Sequence, residues 1–132
     1  MNKQTKRLLK KKIAFVGSED QGRPSIKAML VSRREGNSIF YFDSNNSSQS
    51  AARWRENPNA CIYFYSGFIY RGVMLSGTME IINDMELKKR RWKKSMKSIY
   101  KGGVTDPDYC ILKFTAKTGR SYFMYQCEDS VI

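Results

Sequence analysis

Apolar and polar residues alternate along this chain in bursts of strand length, separated by turn-forming residues. Ile13-Ala14-Phe15-Val16-Gly17-Ser18 forms the first burst. Glu19-Asp20-Gln21-Gly22 closes it with a polar turn whose glycine accommodates positive φ. Residues 25–32 read as a second strand, with Ile26, Ala28 and Leu30 on one face and Lys27, Met29 and Val31 on the other. Arg34-Glu35-Gly36-Asn37 then turns into a third strand over residues 38–42, and the spacing predicts antiparallel pairing of strands two and three. Two more strands follow over residues 60–65 and 68–82, the longer one able to bend at Gly72 or Gly77. Residues 109–115 and 120–125 predict a last hairpin across Lys117-Thr118-Gly119.

The helical signals are short. Residues 1–12 suggest a poorly amphipathic helix prone to fray. Residues 51–56 form a second helix, with Ser47 or Ser48 as N-cap and Asn57-Pro58 as terminator. Asn83 and Glu86 have the spacing of a capping box, opening a helix that carries Met85, Trp92, Met96 and Ile99 on one face and stops at Gly102-Gly103. About seven strands with two or three helices predict a mainly β protein, closed as an antiparallel barrel with helices on its ends. A single domain over residues 1–132 accommodates all of them.

Charge narrows the partners. Lysine and arginine number 24 against 12 acids, a net charge of +12, which favours anionic ligands. Histidine is absent, which excludes a Ser-His-Asp triad, a Cys-His dyad and any His-held zinc or haem. The three cysteines are far apart, so reduced thiols in a cytoplasmic protein are the simpler expectation than a disulfide framework. No apolar run has membrane-spanning length, and neither a metal site nor a catalytic base is evident.

Two segments could carry binding chemistry. Residues 44–50 form a Ser- and Asn-rich loop entering a helix, where main-chain N–H groups and the helix dipole favour an anion. Lys27 on a neighbouring strand could hold the same phosphate. An ordinary capped helix after a polar turn is the commoner meaning of such a loop. The run from Lys88 to Lys94 around Trp92 could touch nucleic acid, although a solvated helix face explains it more simply. Nucleic acid is not the expected partner, since no exposed aromatic platform is evident beyond Trp54 and Trp92.

The stretches Ile13-Ala14-Phe15-Val16-Gly17-Ser18, Gly22-Arg23-Pro24-Ser25-Ile26-Lys27-Ala28-Met29 and Tyr41-Phe42-Asp43-Ser44-Asn45 with Ser47-Ser48 follow one another in a recognisable order. Their succession resembles the FMN-binding split-barrel proteins of the pyridoxamine 5′-phosphate oxidase-like superfamily, in particular the small general-stress-protein branch. Further matches are Asn57-Pro58, Cys61-Ile62-Tyr63-Phe64, Arg71-Gly72-Val73-Met74-Leu75-Ser76-Gly77-Thr78, Trp92, and Gly103-Val104-Thr105-Asp106-Pro107-Asp108-Tyr109.

The resemblance implies an antiparallel split β-barrel that forms a homodimer with FMN in clefts at the interface. It implies that Lys27, Ala28 and Met29 line the flavin, that Phe42, Asp43, Ser44 and Asn45 flank its ring through backbone groups, and that Ser48, Gln49 and Ser50 meet the phosphate. Gly72 would contact the flavin from another strand, and Trp92 would close the cleft. Gln49 and Ser50 stand where the family often carries Lys or Arg, which leaves the phosphate to Lys27, hydroxyls, main-chain N–H groups and Arg53. Ser32 stands where the oxidase carries a lysine, and the chain ends at Ile132 soon after the last expected hairpin, so oxidation of pyridoxamine phosphate itself is not expected. The expected function is a flavin-dependent oxidoreductase of unknown substrate. The alternatives are a non-catalytic flavin store, a basic nucleic-acid-binding barrel, or a cleft holding another planar group such as haem or a deazaflavin.

Overall fold

The computed structural model describes residues 1–132. Strand β1 (Ile13–Asp20) returns as β2 (Arg23–Leu30) through a two-residue turn, Gln21-Gly22, with φ of 51° and 81°. Positive φ at both central positions matches the right-handed twist of the flanking strands. Then come β3 (Arg33–Glu35), β4 (Ile39–Asn45), helix α2 (Gln49–Glu56), β5 (Asn59–Ser66) and β6 (Arg71–Ile82). Helix α1 (Lys3–Leu8) precedes β1, and α3 (Met85–Arg91) precedes two single 3₁₀ turns and the long pair β7 (Tyr109–Phe123) and β8 (Gln126–Val131).

All eight strands belong to one antiparallel sheet, in the order β2-β1-β5-β6-β7-β4-β3 with β8 beside β7. The sheet curls around Phe40, Phe42, Phe64, Phe114, Ile62, Leu75 and Leu112, all essentially sealed from solvent. The ring of Phe40 lies 5.6 Å from Phe64 and 6.4 Å from Phe114, which ties β4 to β5 and β7 across the interior. Each such ring contributes ~1.5–3 kcal/mol by leaving water.

Four expectations are corrected. Helix α1 does not fray as an isolated segment: Asn2 caps it at Thr5 N–H, and Leu8 and Leu9 are buried in the main core. Strand β2 pairs with β1, and only the short β3 pairs with β4, so the expected pairing of strands two and three survives in Arg33–Glu35 alone. The expected hairpin at Lys117-Thr118-Gly119 is instead the middle of β7, and the reversal occurs at Met124-Tyr125. The register shift opposite Ser76 and Gly77 absorbs Lys117 as an extra residue, so the turn-like composition marks a bulge. Helix α3 is capped by Asp84 rather than Asn83, and it breaks at Trp92, short of the expected end.

Candidate functional site

The sheet is open between β2 and β4. Strand β3 accompanies β4 only as far as Tyr41, opposite Arg33. Ser32 N–H donates to Tyr41 C=O at 2.8 Å, so the main-chain groups of Tyr41 face β3. By the alternation of an antiparallel strand, those of Asp43 and Asn45 face the same way, toward a side where no strand lies. On the other bank, Val31 N–H donates to Lys12 C=O at 2.7 Å. The main-chain groups of Leu30, Ala28 and Ile26 therefore point away from β1, into the same opening. The two banks approach each other, and together they form a cleft edged by unpaired peptide groups.

The sequence builds one end of this cleft from the N-terminus of α2. Ser48 Oγ accepts Ala51 N–H at 3.1 Å, which leaves Gln49 and Ser50 N–H as free donors in the first turn. The loop before it is fixed from outside. Asp108 accepts from Ser47 N–H at 2.8 Å and Ser47 Oγ at 3.0 Å, while Asn46 Nδ2 reaches Pro107 C=O at 2.9 Å. Arg55 Nη2 donates to both Asn46 C=O and Asn46 Oδ1 at 3.0 Å, tying the helix back onto its loop. Arg53 reaches across to the β1–β2 hairpin, donating to Ser25 Oγ at 3.1 Å and lying 3.7 Å from Asp20. Lys27 projects from the same face of β2 as Ser25, about 7 Å further along the strand. It is exposed and makes no ion pair.

The outer face of β4 and β7 is covered by a second, aromatic cluster. Tyr109 Oη donates to Asp43 at 3.1 Å and Tyr100 Oη donates to Ser44 C=O at 2.9 Å. Trp92 packs edge-on to Tyr109 at 5.5 Å and against Tyr100 at 6.3 Å. Burial raises the Asp43 carboxyl above the usual carboxylate range, against the opposing pull of the Tyr109 hydrogen bond and of Lys93 and Arg91. Burial, with Asp43 alongside, pushes Tyr100 up to about 12 and Tyr109 higher still. These phenols stay protonated and act as hydrogen-bond donors at neutral pH. Lys88 lies over the Tyr109 ring, buried, so part of the expected basic face of α3 is turned inward.

The sequence-derived residues therefore fall into three places. Lys27, Ala28, Met29, Asp43, Ser44, Asn45, Ser48, Gln49 and Ser50 gather on the two banks and the α2 end of the opening. Phe42 sits on the same strand with its side chain sealed in the core, so only its backbone is at the site. Trp92 belongs to the aromatic cluster behind β4. Gly72 lies three strands from β2, where Tyr63 crosses over it so closely that a Cβ would overlap the phenol. Sequence reasoning missed Asp108, Tyr109, Tyr100 and Arg55. Asp108 and Tyr109 were legible only as part of a matching stretch, without a role.

The row that contains Gly72 is part of an unusually apolar outer surface. Ile26, Ala28 and Leu30 of β2 continue through Ile13 and Phe15 of β1 to Tyr63 and Tyr65 of β5. Ile26 and Leu30 are 68% and 61% exposed.

A curled antiparallel sheet split along one side, with short helices on its ends, is the architecture of the split barrels. The chain matches the family described as pyridoxamine 5′-phosphate oxidase like over residues 1–126. It shares 33% identity and a TM-score of 0.86 with a Clostridium acetobutylicum protein described as related to general stress protein 26 of B. subtilis, of the pyridoxinephosphate oxidase family; the match covers 98% of this chain and 92% of that one. The General Stress Protein 26 of Bacillus anthracis has the same fold, with 17% identity and a TM-score of 0.78 over 98% of this chain and 96% of that one. So does a heme binding protein from Mycobacterium smegmatis, with 13% identity and a TM-score of 0.73 over 96% of this chain and 56% of that one. No curated protein matches the chain at a significant level. This chain belongs to the pyridoxamine 5′-phosphate oxidase-like family. No helix in it is long and apolar enough to cross a membrane.

Proposed function

We propose that the chain binds FMN in the opening between β2 and β4 and works as a flavin-dependent oxidoreductase in a homodimer. One observation carries this reading: two unpaired strand edges, one bearing the unpaired Lys27, flank a capped helix N-terminus with free donors. The residues present fit the group. The peptide N–H and C=O of Asp43 and the N–H of Asn45 suit the hydrogen-bonding rim of a flat heterocycle; the Asn45 C=O already accepts Ser48 N–H at 3.1 Å. Ala28 is small enough to let a ring approach the β2 edge. Gln49 N–H, Ser50 N–H and Lys27 suit a phosphate.

The bound flavin would supply hydride or electron exchange, and the protein would supply position and a dry wall. With no lysine or arginine at positions 49 and 50, the grip on the phosphate rests mainly on neutral donors, about half as strong as charge-assisted ones. The apolar row from Ile26 to Tyr65 is the surface that a second copy would cover, since a patch of that kind marks an interface. Gly72 lies on that face, so its expected flavin contact would be made across the dimer.

The test is the visible absorbance of protein incubated with FMN and freed of excess, followed by anaerobic addition of NADH or NADPH. Retained flavin that bleaches on reductant supports an oxidoreductase. Retained flavin that no reductant bleaches supports the storage reading. No retained flavin sinks both. A haem in this opening would lack a histidine ligand, leaving tyrosine as the remaining oxygen ligand of precedent.

A further inference from the structure

The molecule has a second recess, at the end of the barrel, that the flavin reading does not use. The β5–β6 turn over residues 67–70 and the β7–β8 turn at Met124-Tyr125 stand side by side above α1. Between them is an open cavity of about 740 Å³. Its walls are Phe68, Ile69, Tyr70, Phe123, Met124 and Tyr125. Phe68 and Tyr125 are 99% and 102% exposed, so neither ring packs on its own chain. Tyr70 and Met124, at the tips, have positive φ of 51° and 56°, a costly conformation for residues with side chains.

At the base of these apolar walls is a cation without an anion. Arg71 is 6% exposed and lines the cavity. Its Nη2 donates to Gln4 Oε1 at 2.8 Å and its Nη1 to Thr5 Oγ1 at 3.3 Å, both neutral acceptors. Its Nε has no partner, and the guanidinium lies 4.1 Å over the Phe123 ring. No carboxylate of the chain pairs with it. A guanidinium has five N–H donors, and burying one without an opposite charge is expensive.

We propose that this end cavity is a binding site for a small amphipathic carboxylate, such as a medium-chain fatty acid. The carboxylate would pair with Arg71, and the hydrocarbon tail would lie between Phe68 and Tyr125. The cavity volume, the mostly apolar wall and the single charged group at its base are the usual makeup of a small-molecule site. The ligand would supply the missing anion and cover the exposed rings in one step. The cavity shares no residue with the opening between β2 and β4, but Gly67, Tyr70, Arg71 and Met124 also border a recess with Tyr63, Tyr65 and Gly72, on the face assigned to a second copy, so the test includes the oligomeric state.

The test is isothermal titration of the full chain with decanoate, with decanol as the uncharged control. The expected result is saturable binding of one decanoate per chain, at least about tenfold tighter than decanol, as a charge-assisted contact requires. Arg71→Met should erase the difference between the two ligands. Arg71 also holds α1 through Gln4 and Thr5, so Phe68→Ser and Tyr125→Ser provide a second arm that leaves this contact intact. Both rings are fully exposed, so the fold should be unaffected while decanoate binding weakens several-fold. Equal affinity for acid and alcohol would overturn the proposal. So would absence of binding, or a rim occupied by a second copy, seen as a dimer weakened by Tyr125→Ser.

Discussion

Arg53 donates to the hydroxyl of Ser25 at 3.1 Å, and this contact holds helix α2 against the edge strand β2. The two residues are 28 positions apart in sequence, and only one of them lies in the sheet. The contact ties α2, whose first turn carries the free N–H donors, to the strand that carries Lys27. Arg53→Met should therefore weaken FMN binding while leaving the core intact. Flavin fluorescence titration reads the affinity, and urea denaturation reads the stability.

Ser48 has one structural task that can be separated from binding. Its hydroxyl accepts Ala51 N–H, so Ser48→Ala should cost about 1 kcal/mol of stability. Ser48→Asp keeps a cap and should restore the stability, yet it sets a negative charge beside the phosphate site. The prediction is a variant as stable as the wild type that binds FMN worse.

Gly77 is required by packing. A Cβ there would collide with the backbone carbonyl of Thr115 on β7, next to the bulge, and backbone cannot swing aside. Gly77→Ala should destabilise by roughly 1–3 kcal/mol or more. Gly72→Ala meets the phenol end of Tyr63 instead, a side chain that can move. The expected order is a larger loss for Gly77→Ala than for Gly72→Ala, measured by urea denaturation.

Asp43 gives a pH prediction. Its carboxyl is raised above the ordinary value, so the native state binds that proton more tightly than the unfolded chain does. Its contribution to stability is therefore present below the ordinary carboxylate range and is lost as pH rises through the raised value. Asp43→Asn keeps an acceptor for Tyr109 and removes the charge. The variant should gain stability relative to wild type at neutral pH, and the gain should shrink as pH falls through the carboxylate range. A gain that does not change with pH would contradict the assignment.

The outer apolar row predicts the assembly. Ile26→Glu or Leu30→Glu on the exposed face of β2 should shift the protein toward monomer in analytical ultracentrifugation, and the fold should survive because neither side chain is in the core.

Much of this was legible in the sequence where local rules decide. The Gln21-Gly22 turn, the Ser48 cap and the alternation of Lys27 and Met29 against Ala28 follow from neighbours in the chain. Pairing was less legible, since β2 chooses β1 over β4 through contacts that no local pattern encodes. Gly119 misled because glycine signals a turn. Here it makes room instead, with the side chains of Leu75 and Met1 within 3.1 and 3.2 Å of where a Cβ would be. Trp92 ends α3 early by turning in against the packed pair Tyr100 and Tyr109, a tertiary effect on a segment of good helical periodicity. The site residues came from the resemblance. Their grouping around an opening became visible only when both strand edges were seen to be unpaired.

The central claim is that FMN binds in that opening with its phosphate near Lys27. The most direct measurement is a fluorescence titration of FMN with wild-type protein and with Lys27→Met, both checked for unchanged thermal unfolding. The account predicts saturation at one FMN per chain and a loss of about tenfold or more in the variant, as expected for removing a charge-assisted phosphate contact. Saturation with equal affinity in both proteins would contradict the assigned site, and absence of saturation would contradict FMN as the ligand.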